Sequence, residues 1–143
     1  MLLLDVNVLV YAFRPDAQRH KEYQQWVENL VNGDSAYACT NVVLSGFLRL
    51  LTHPRIFDKP SSLVEALDFA ATFKDQPHCV QVHPGPRHWE IFSQFCREVN
   101  AKGNLVPDAY LAAIAVESGC EWVTTDRDFS RFPGLRWRHP LDN

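Results

Sequence analysis

The sequence predicts an α/β fold built on a parallel sheet. Short apolar runs of strand length alternate with longer segments whose apolar residues recur at helical spacing. No internal repeat, low-complexity tract or Gly/Ser-rich linker interrupts that alternation. The chain is 143 residues long, 46% hydrophobic and 22% charged, which suits one folded domain with a single core.

Taken in order, the run from Leu2 to Val10 reads as a strand that stops near Asp5. Tyr23, Trp26, Val27, Leu30 and Val31 then recur at helical spacing, and Gly33 ends the pattern as a C-terminal cap. Tyr37 to Cys39 is a short strand. Thr40 or Asn41 caps the next helix, whose face is Leu44, Phe47, Leu48 and Leu51, and His53-Pro54 closes it. Ser61 or Ser62 starts a third helix with Leu63, Leu67, Ala70 and Ala71 as its buried stripe. Cys79 to Val82 is a strand, Trp89, Phe92, Cys96 and Val99 form a fourth helical stripe, and 100–104 is a polar loop. Pro107 suits the first turn of a fifth helix, Asp108 to Ser118, which is apolar nearly all round and therefore buried on several sides. Gly119 ends it, Glu121 to Thr125 is the next strand, and Trp137 lies on a short edge strand.

No apolar run has the length needed to cross a bilayer. The apolar start is cut off by Asp5 and has no basic n-region, so it reads as a strand rather than a signal peptide, and the expected compartment is the cytoplasm. Four widely spaced cysteines with no C-x-x-C pair argue against zinc-ribbon and thioredoxin chemistry and for buried, reduced thiols. A formal net charge of −3 gives no global attraction to nucleic acid, so such binding needs a local basic patch or bound cations.

Chemistry is expected where the strands end. Asp5 and Asp126 both follow strands, and in open α/β sheets sites form beyond the carboxyl ends of strands where strand order reverses. Asp108 opens the helix that leads into the Asp126 strand and can reach the same rim. Converging carboxylates repel one another, and burial adds to the cost of their charge. A divalent cation relieves both. All-oxygen ligation without a Cys/His set suits Mg²⁺ or Mn²⁺, which can polarise a phosphoryl oxygen and activate water. The blander roles are a turn former or helix cap for Asp5, the start of a turn for Asp126, a first-turn residue for Asp108, and a cap or outer-shell group for Asp128.

Three segments together carry a family resemblance. They are Leu4-Asp5-Val6-Asn7, Pro107-Asp108-Ala109-Tyr110-Leu111-Ala112-Ala113, and Thr124-Thr125-Asp126-Arg127-Asp128-Phe129. They are similar to the signature segments of PIN-domain nucleases, above all the VapC toxins of bacterial toxin–antitoxin pairs. Phe47 to Phe57 is similar to that group as well. The resemblance implies one domain over 1–143, a three-layer α/β/α fold, and a Mg²⁺-dependent endoribonuclease in which Mn²⁺ can substitute. It further implies inhibition by a VapB-like antitoxin and a homodimer. By position, Asp5 and Asp108 would ligate the metal, Asp126 would complete the cluster with Asp128 near it, and Asn7 and Thr124 would orient carboxylates and water. One departure stands out: Gly46 occupies a position where the family commonly has glutamate, which removes a negative charge and bears on catalysis.

For substrate, the C-terminal stretch interleaves Arg127, Arg131, Arg136, Arg138 and His139 with Phe129, Phe132 and Trp137. Arginines with aromatics suit RNA, but a solvated edge over core aromatics explains most of them equally well. Arg127, next to Asp126, is the best RNA contact among them. Trp26, Phe47, Phe57 and Phe92 are apolar candidates for partner contacts or core. A haloacid-dehalogenase-type phosphatase needs Asp-x-Asp, and Asn7 cannot supply the second acid. A PIN-like module that binds RNA or protein without cutting, for which Gly46 argues, and a single-strand DNA nuclease of the same fold are the remaining alternatives.

Overall fold

A computed structural model describes residues 1–142 and contains five parallel strands in the order β3-β2-β1-β4-β5. They are β1 (Leu2–Leu4), β2 (Tyr37–Cys39), β3 (Cys79–Gln81), β4 (Glu121–Val123) and β5 (Trp137–Arg138). The chain walks outward from β1 to β2 and β3, then returns to the other side of β1 for β4 and β5. Strand order therefore reverses at β1, and the β1–β4 pair, with Leu4 opposite Val123, is the switch point.

Six helices connect the strands: α1 (Val6–Phe13), α2 (His20–Asn32), α3 (Asn41–Leu51), α4 (Leu63–Lys74), α5 (His88–Val99) and α6 (Leu105–Ser118). Helix α1 packs on α2 and α3, α3 on α4, and α5 on α6. Right-handed crossovers put α1–α4 on one face of the sheet and α5–α6 on the other, giving three layers. The core between them includes Leu3, Tyr37, Phe47, Trp122 and Phe129, all fully buried. The buried Tyr37 hydroxyl donates to the Phe73 carbonyl at 2.6 Å, so it costs little to enclose. All four cysteines are free thiols, with Cys39 and Cys120 buried and Cys79 and Cys96 partly so. No helix among the described residues is long and apolar enough to cross a membrane.

Three expectations need correction. Only Leu2–Leu4 of the first apolar run is strand, and Val6–Phe13 is helix α1. A continuous apolar run has no period to separate the two states. The Asp5 side chain decides it by accepting the Val6 N–H at 2.7 Å, and α1 then buries Val8, Leu9, Val10 and Ala12. The buried face of α4 is Ala66, Ala70 and Phe73, while Leu63 and Leu67 are exposed, as is Ala71. Aromatic anchoring sets that rotation: Phe69 packs on Phe13 and Phe47, and Phe73 on Tyr37, while the small alanines let the helix approach. Helix α6 begins at Leu105 rather than Asp108, with Pro107 still in its first turn, where a missing N–H is harmless.

Two tertiary ties hold the long connections. Arg14 is buried, pairs with Asp16, donates to the Lys59 carbonyl at 2.7 Å and lies over the Phe57 ring at 4.0 Å. It fastens the α3–α4 loop to the end of α1. Glu117 of α6 accepts the N–H groups of Gly85 (2.6 Å) and Arg87 (2.8 Å), fixing the turn that enters α5. A Cβ on Gly85 would stand 2.7 Å from a Glu117 oxygen, so glycine permits the approach. Glu117→Ala should therefore lower unfolding free energy by about 1–2 kcal/mol. Gly85→Ala should also destabilise the chain, and neither change should add to the other in full. Urea denaturation of both single variants and the double variant checks this.

Candidate functional site

Asp5 leaves β1 at the switch point and becomes the N-cap of α1. Its backbone N–H donates to the Val123 carbonyl at 2.8 Å, which carries the β1–β4 pairing one residue beyond the strands. The carboxylate is only 7% exposed. One oxygen accepts Val6 N–H, and the other accepts the Thr124 hydroxyl at 2.7 Å. Thr124 is 0% exposed and its Oγ1 also accepts the Asp126 N–H at 3.0 Å. One hydroxyl thus ties the end of β1 to the loop after β4.

Asp126 caps a short 3-10 helix, Arg127–Arg131, and its Oδ1 accepts the Asp128 N–H at 2.9 Å. Asp108 stands at the start of α6, half-buried. Asn7 lies in the first turn of α1, also half-buried. The site therefore draws on three separate stretches of chain, two of which follow the neighbouring strands β1 and β4.

The charges interact. Burial pushes the Asp5 carboxyl up to about 6, with the Asp126 charge adding to it, against the lowering effect of the Thr124 and Val6 hydrogen bonds. Burial likewise pushes Asp108 up to about 6, reinforced by Asp126, then Asp5, then Asp128. All four aspartates therefore belong to one electrostatic cluster. Among the described residues no three His, Cys, Asp or Glu side chains stand as close as ligands around an ion. The donor set the four aspartates offer is entirely oxygen, the chemistry that suits a hard divalent cation.

Beside the carboxylates runs an apolar groove of about 330 Å³, whose lining includes Val6, Val42, Gly46, Val106 and Pro107. Val6 follows Asp5 and Pro107 precedes Asp108, so the groove borders the cluster. Gly46 is where α3 meets α1: a Cβ there would come within 3.2 Å of the Val6 side chain. The glycine has a packing reason, and no carboxylate lines this wall.

The other basic and aromatic residues fall elsewhere. Arg127 is exposed and pairs with Asp142 at 3.0 Å. Arg138 pairs with Glu121 at 3.1 Å, and Arg136 donates to the Gly119 carbonyl. Phe129 and Phe132 are core residues, packed against Trp122 and Phe95. Phe47 is core, whereas Trp26, Phe57 and Phe92 are half-buried. His53 accepts the Arg55 N–H at 3.0 Å as a helix-end residue. Sequence reasoning allowed Asp5 a capping role but missed the helix it caps, α1; an aspartate directly before an apolar run was the available signal.

A raised aspartate pKa reverses the usual dependence of stability on pH. The folded chain holds the Asp108 proton more tightly than the unfolded chain, whose value lies near 3.8. The group is neutral in both states below about 3.8, and its cost to folding grows as pH rises from there and is fully present above about 6. Asp108→Asn should thus raise the stability of the metal-free chain at pH 7.5. The half-exposed carboxyl is screened by solvent, so the gain should be on the order of 1 kcal/mol, or about 2–4 °C in Tm. At pH 3.5 the gain should vanish. Thermal melts in EDTA at the two pH values check this, and a variant less stable than wild type at pH 7.5 would contradict it.

A PIN-domain family model matches residues 2–135. Ribonuclease VapC43 of Mycobacterium tuberculosis is 44% identical over 142 residues, covering 99% of this chain and 97% of its own. Ribonuclease VapC25 of the same organism is 43% identical over 140 residues, covering 98% and 99%. Among solved structures, VapBC-1 from nontypeable Haemophilus influenzae aligns with a TM-score of 0.70 at 12% identity, covering 99% of this chain and 98% of that one. That last likeness shows the fold, while the family match and the end-to-end relatives show descent. The chain belongs to the PIN-domain family, among the VapC ribonucleases.

Proposed function

We propose that this chain is a Mg²⁺-dependent endoribonuclease, with Mn²⁺ able to substitute, acting as the toxin of a VapBC-type pair in the cytoplasm. The observation that carries this is the convergence of Asp5, Asp108, Asp126 and Asp128 at the sheet's switch point, with Asp5 and Asp108 both raised to about 6. A cluster so costly when charged is what a divalent cation stabilises. The relatives named as VapC ribonucleases support the substrate class.

Asp5 and Asp108 would hold the ion, and Asp126 would complete its carboxylate set with Asp128 outside. When bound, the ion polarises the scissile phosphate and lowers the pKa of water. The protein's part is positional. Thr124 fixes one Asp5 oxygen, leaving the carboxylate oriented before any ligand arrives. The Val6 N–H and the α1 N-terminus favour the charged form of Asp5. Asn7, one helical step from Asp5, would orient water or a carboxylate. The groove beside Gly46 is lined by apolar side chains, so that flank adds no further charge to the cluster. Arg127, held only by an exposed ion pair worth about 0–1 kcal/mol, can exchange Asp142 for an RNA phosphate.

The partner is a VapB-like antitoxin, and the chain assembles as a homodimer. Helix α4 leaves Leu63, Val64 and Leu67 in solvent, an apolar surface of the kind a partner helix covers.

Purified chain should cut structured RNA at defined positions with Mg²⁺ or Mn²⁺ and stop in EDTA. Asp5→Ala and Asp108→Ala should each reduce the rate by at least about 10³-fold, as loss of a metal ligand removes both polarisation and water activation. Gel mapping of the fragments provides the readout. RNA that is bound but left intact under every metal tested would replace this reading with that of a non-cleaving PIN-like module.

A further inference from the structure

Asp5 has a threonine on each side. Leu4 is opposite Val123 across β1 and β4, so one further step brings Asp5 level with Thr124. Leu3 is opposite Ala38 across β1 and β2, so two further steps bring Asp5 level with Thr40. Residues level across a parallel pair project to the same side of the sheet. The two threonines therefore flank the Asp5 carboxylate at the edge where the catalytic cluster forms.

Both are sealed from solvent, at 0% and 1% exposure, yet their hydroxyls differ. That of Thr124 is bonded twice, to Asp5 and Asp126. That of Thr40 has no hydrogen-bond partner at all. Thr40 is also the N-cap of α3, in extended conformation, where a threonine hydroxyl ordinarily accepts a helix N–H. Here only its carbonyl serves, for Val43 and Leu44. The hydroxyl makes no cap. For the fold alone, valine of the same shape would do better, because a buried unpaired hydroxyl opposes folding and a β-branched chain suits the extended backbone.

We propose that Thr40 is a positioning residue of the carboxylate site, its hydroxyl hydrogen-bonding to the water shell of the divalent cation held beside Asp5. This rests on the metal-dependent reading given above. Thr124 orients the carboxylate from one side through the protein, and Thr40 orients the hydrated ion from the other.

The test uses the full chain, Mn²⁺ alone as probe, and the variants Thr40→Val and Thr40→Ser. In EDTA, Thr40→Val should melt higher than wild type by roughly 2–6 °C, since it removes an unpaired buried polar group. By titration calorimetry it should bind Mn²⁺ roughly tenfold more weakly, the scale expected for an outer-shell hydrogen bond. Thr40→Ser should bind Mn²⁺ within about twofold of wild type. A merely structural hydroxyl gives the opposite sign in EDTA, so a Thr40→Val Tm equal to or below that of wild type overturns the proposal. Mn²⁺ affinity unchanged in Thr40→Val overturns it too, while leaving the cation site intact. If wild type itself binds no Mn²⁺, the metal-dependent reading fails and this inference falls with it.

Discussion

The hydrogen bond from Asp5 N–H to the Val123 carbonyl, 2.8 Å long, extends the β1–β4 ladder past the last strand residues. Everything in the site depends on that pairing. β1 and β4 are neighbours only because the chain returns across the sheet after β3. Their adjacency brings together aspartates that are 121 positions apart in sequence, Asp5 and Asp126. Thr124 then converts adjacency into fixed geometry, since its hydroxyl can bond both Asp5 and the Asp126 backbone only when the two strands are in this register. A one-residue slip would turn Asp5 to the opposite face and open the cluster.

The same edge is the costliest place in the molecule for charge. Parallel strands end there with their side chains half-enclosed by helices, so solvent cannot screen the carboxylates well. Hydrogen bonds from Thr124 and Val6 favour the ionised form of Asp5, but burial outweighs them and the carboxyl still rises to about 6. Asp108 has no comparable donors and rises for burial and three neighbouring charges. The rest of the core is largely apolar, with its buried Tyr37 hydroxyl satisfied. Strain of this kind, concentrated at one edge, is what separates a ligand site from a structural ion pair.

Much of this architecture is legible in the sequence, and what is not has identifiable causes. Helices with one apolar stripe and a cap signal, such as α2 with Gly33 or α3 with its Leu44, Phe47 and Leu51 face, declare themselves. So do the three aspartate segments, because each sits at a break between apolar runs. Helix α1 is concealed because Val6–Phe13 is apolar on nearly every position, and only the Asp5 cap distinguishes it from a continued strand. The rotation of α4 is concealed for a different reason. Leucines at 63 and 67 suggest one face, whereas ring packing of Phe69 and Phe73 against other elements chooses another. The C-terminal arginines illustrate a third limit: composition shows basic residues, but only the folded chain shows that Arg127, Arg136 and Arg138 already have partners.

Gly46 joins these threads. A Cβ there would press on Val6 at 3.2 Å, the residue whose N–H caps onto Asp5. The glycine lets α3 lie close to α1 and so protects the cap geometry that orients the carboxylate. It also leaves that flank of the cluster apolar, with Val6, Val42, Val106 and Pro107 in place of a further charge. Removing one carboxylate lowers the repulsion within the cluster, while an apolar wall raises the cost of the charges that remain. The two effects oppose each other in the empty site. For a bound cation the two effects also oppose each other: the missing carboxylate would remove one source of attraction, while an apolar flank would strengthen the attraction of those that remain. The absence of an acid at this position therefore alters how the cluster is tuned, and under the proposed metal-dependent function cation binding would turn on the four aspartates.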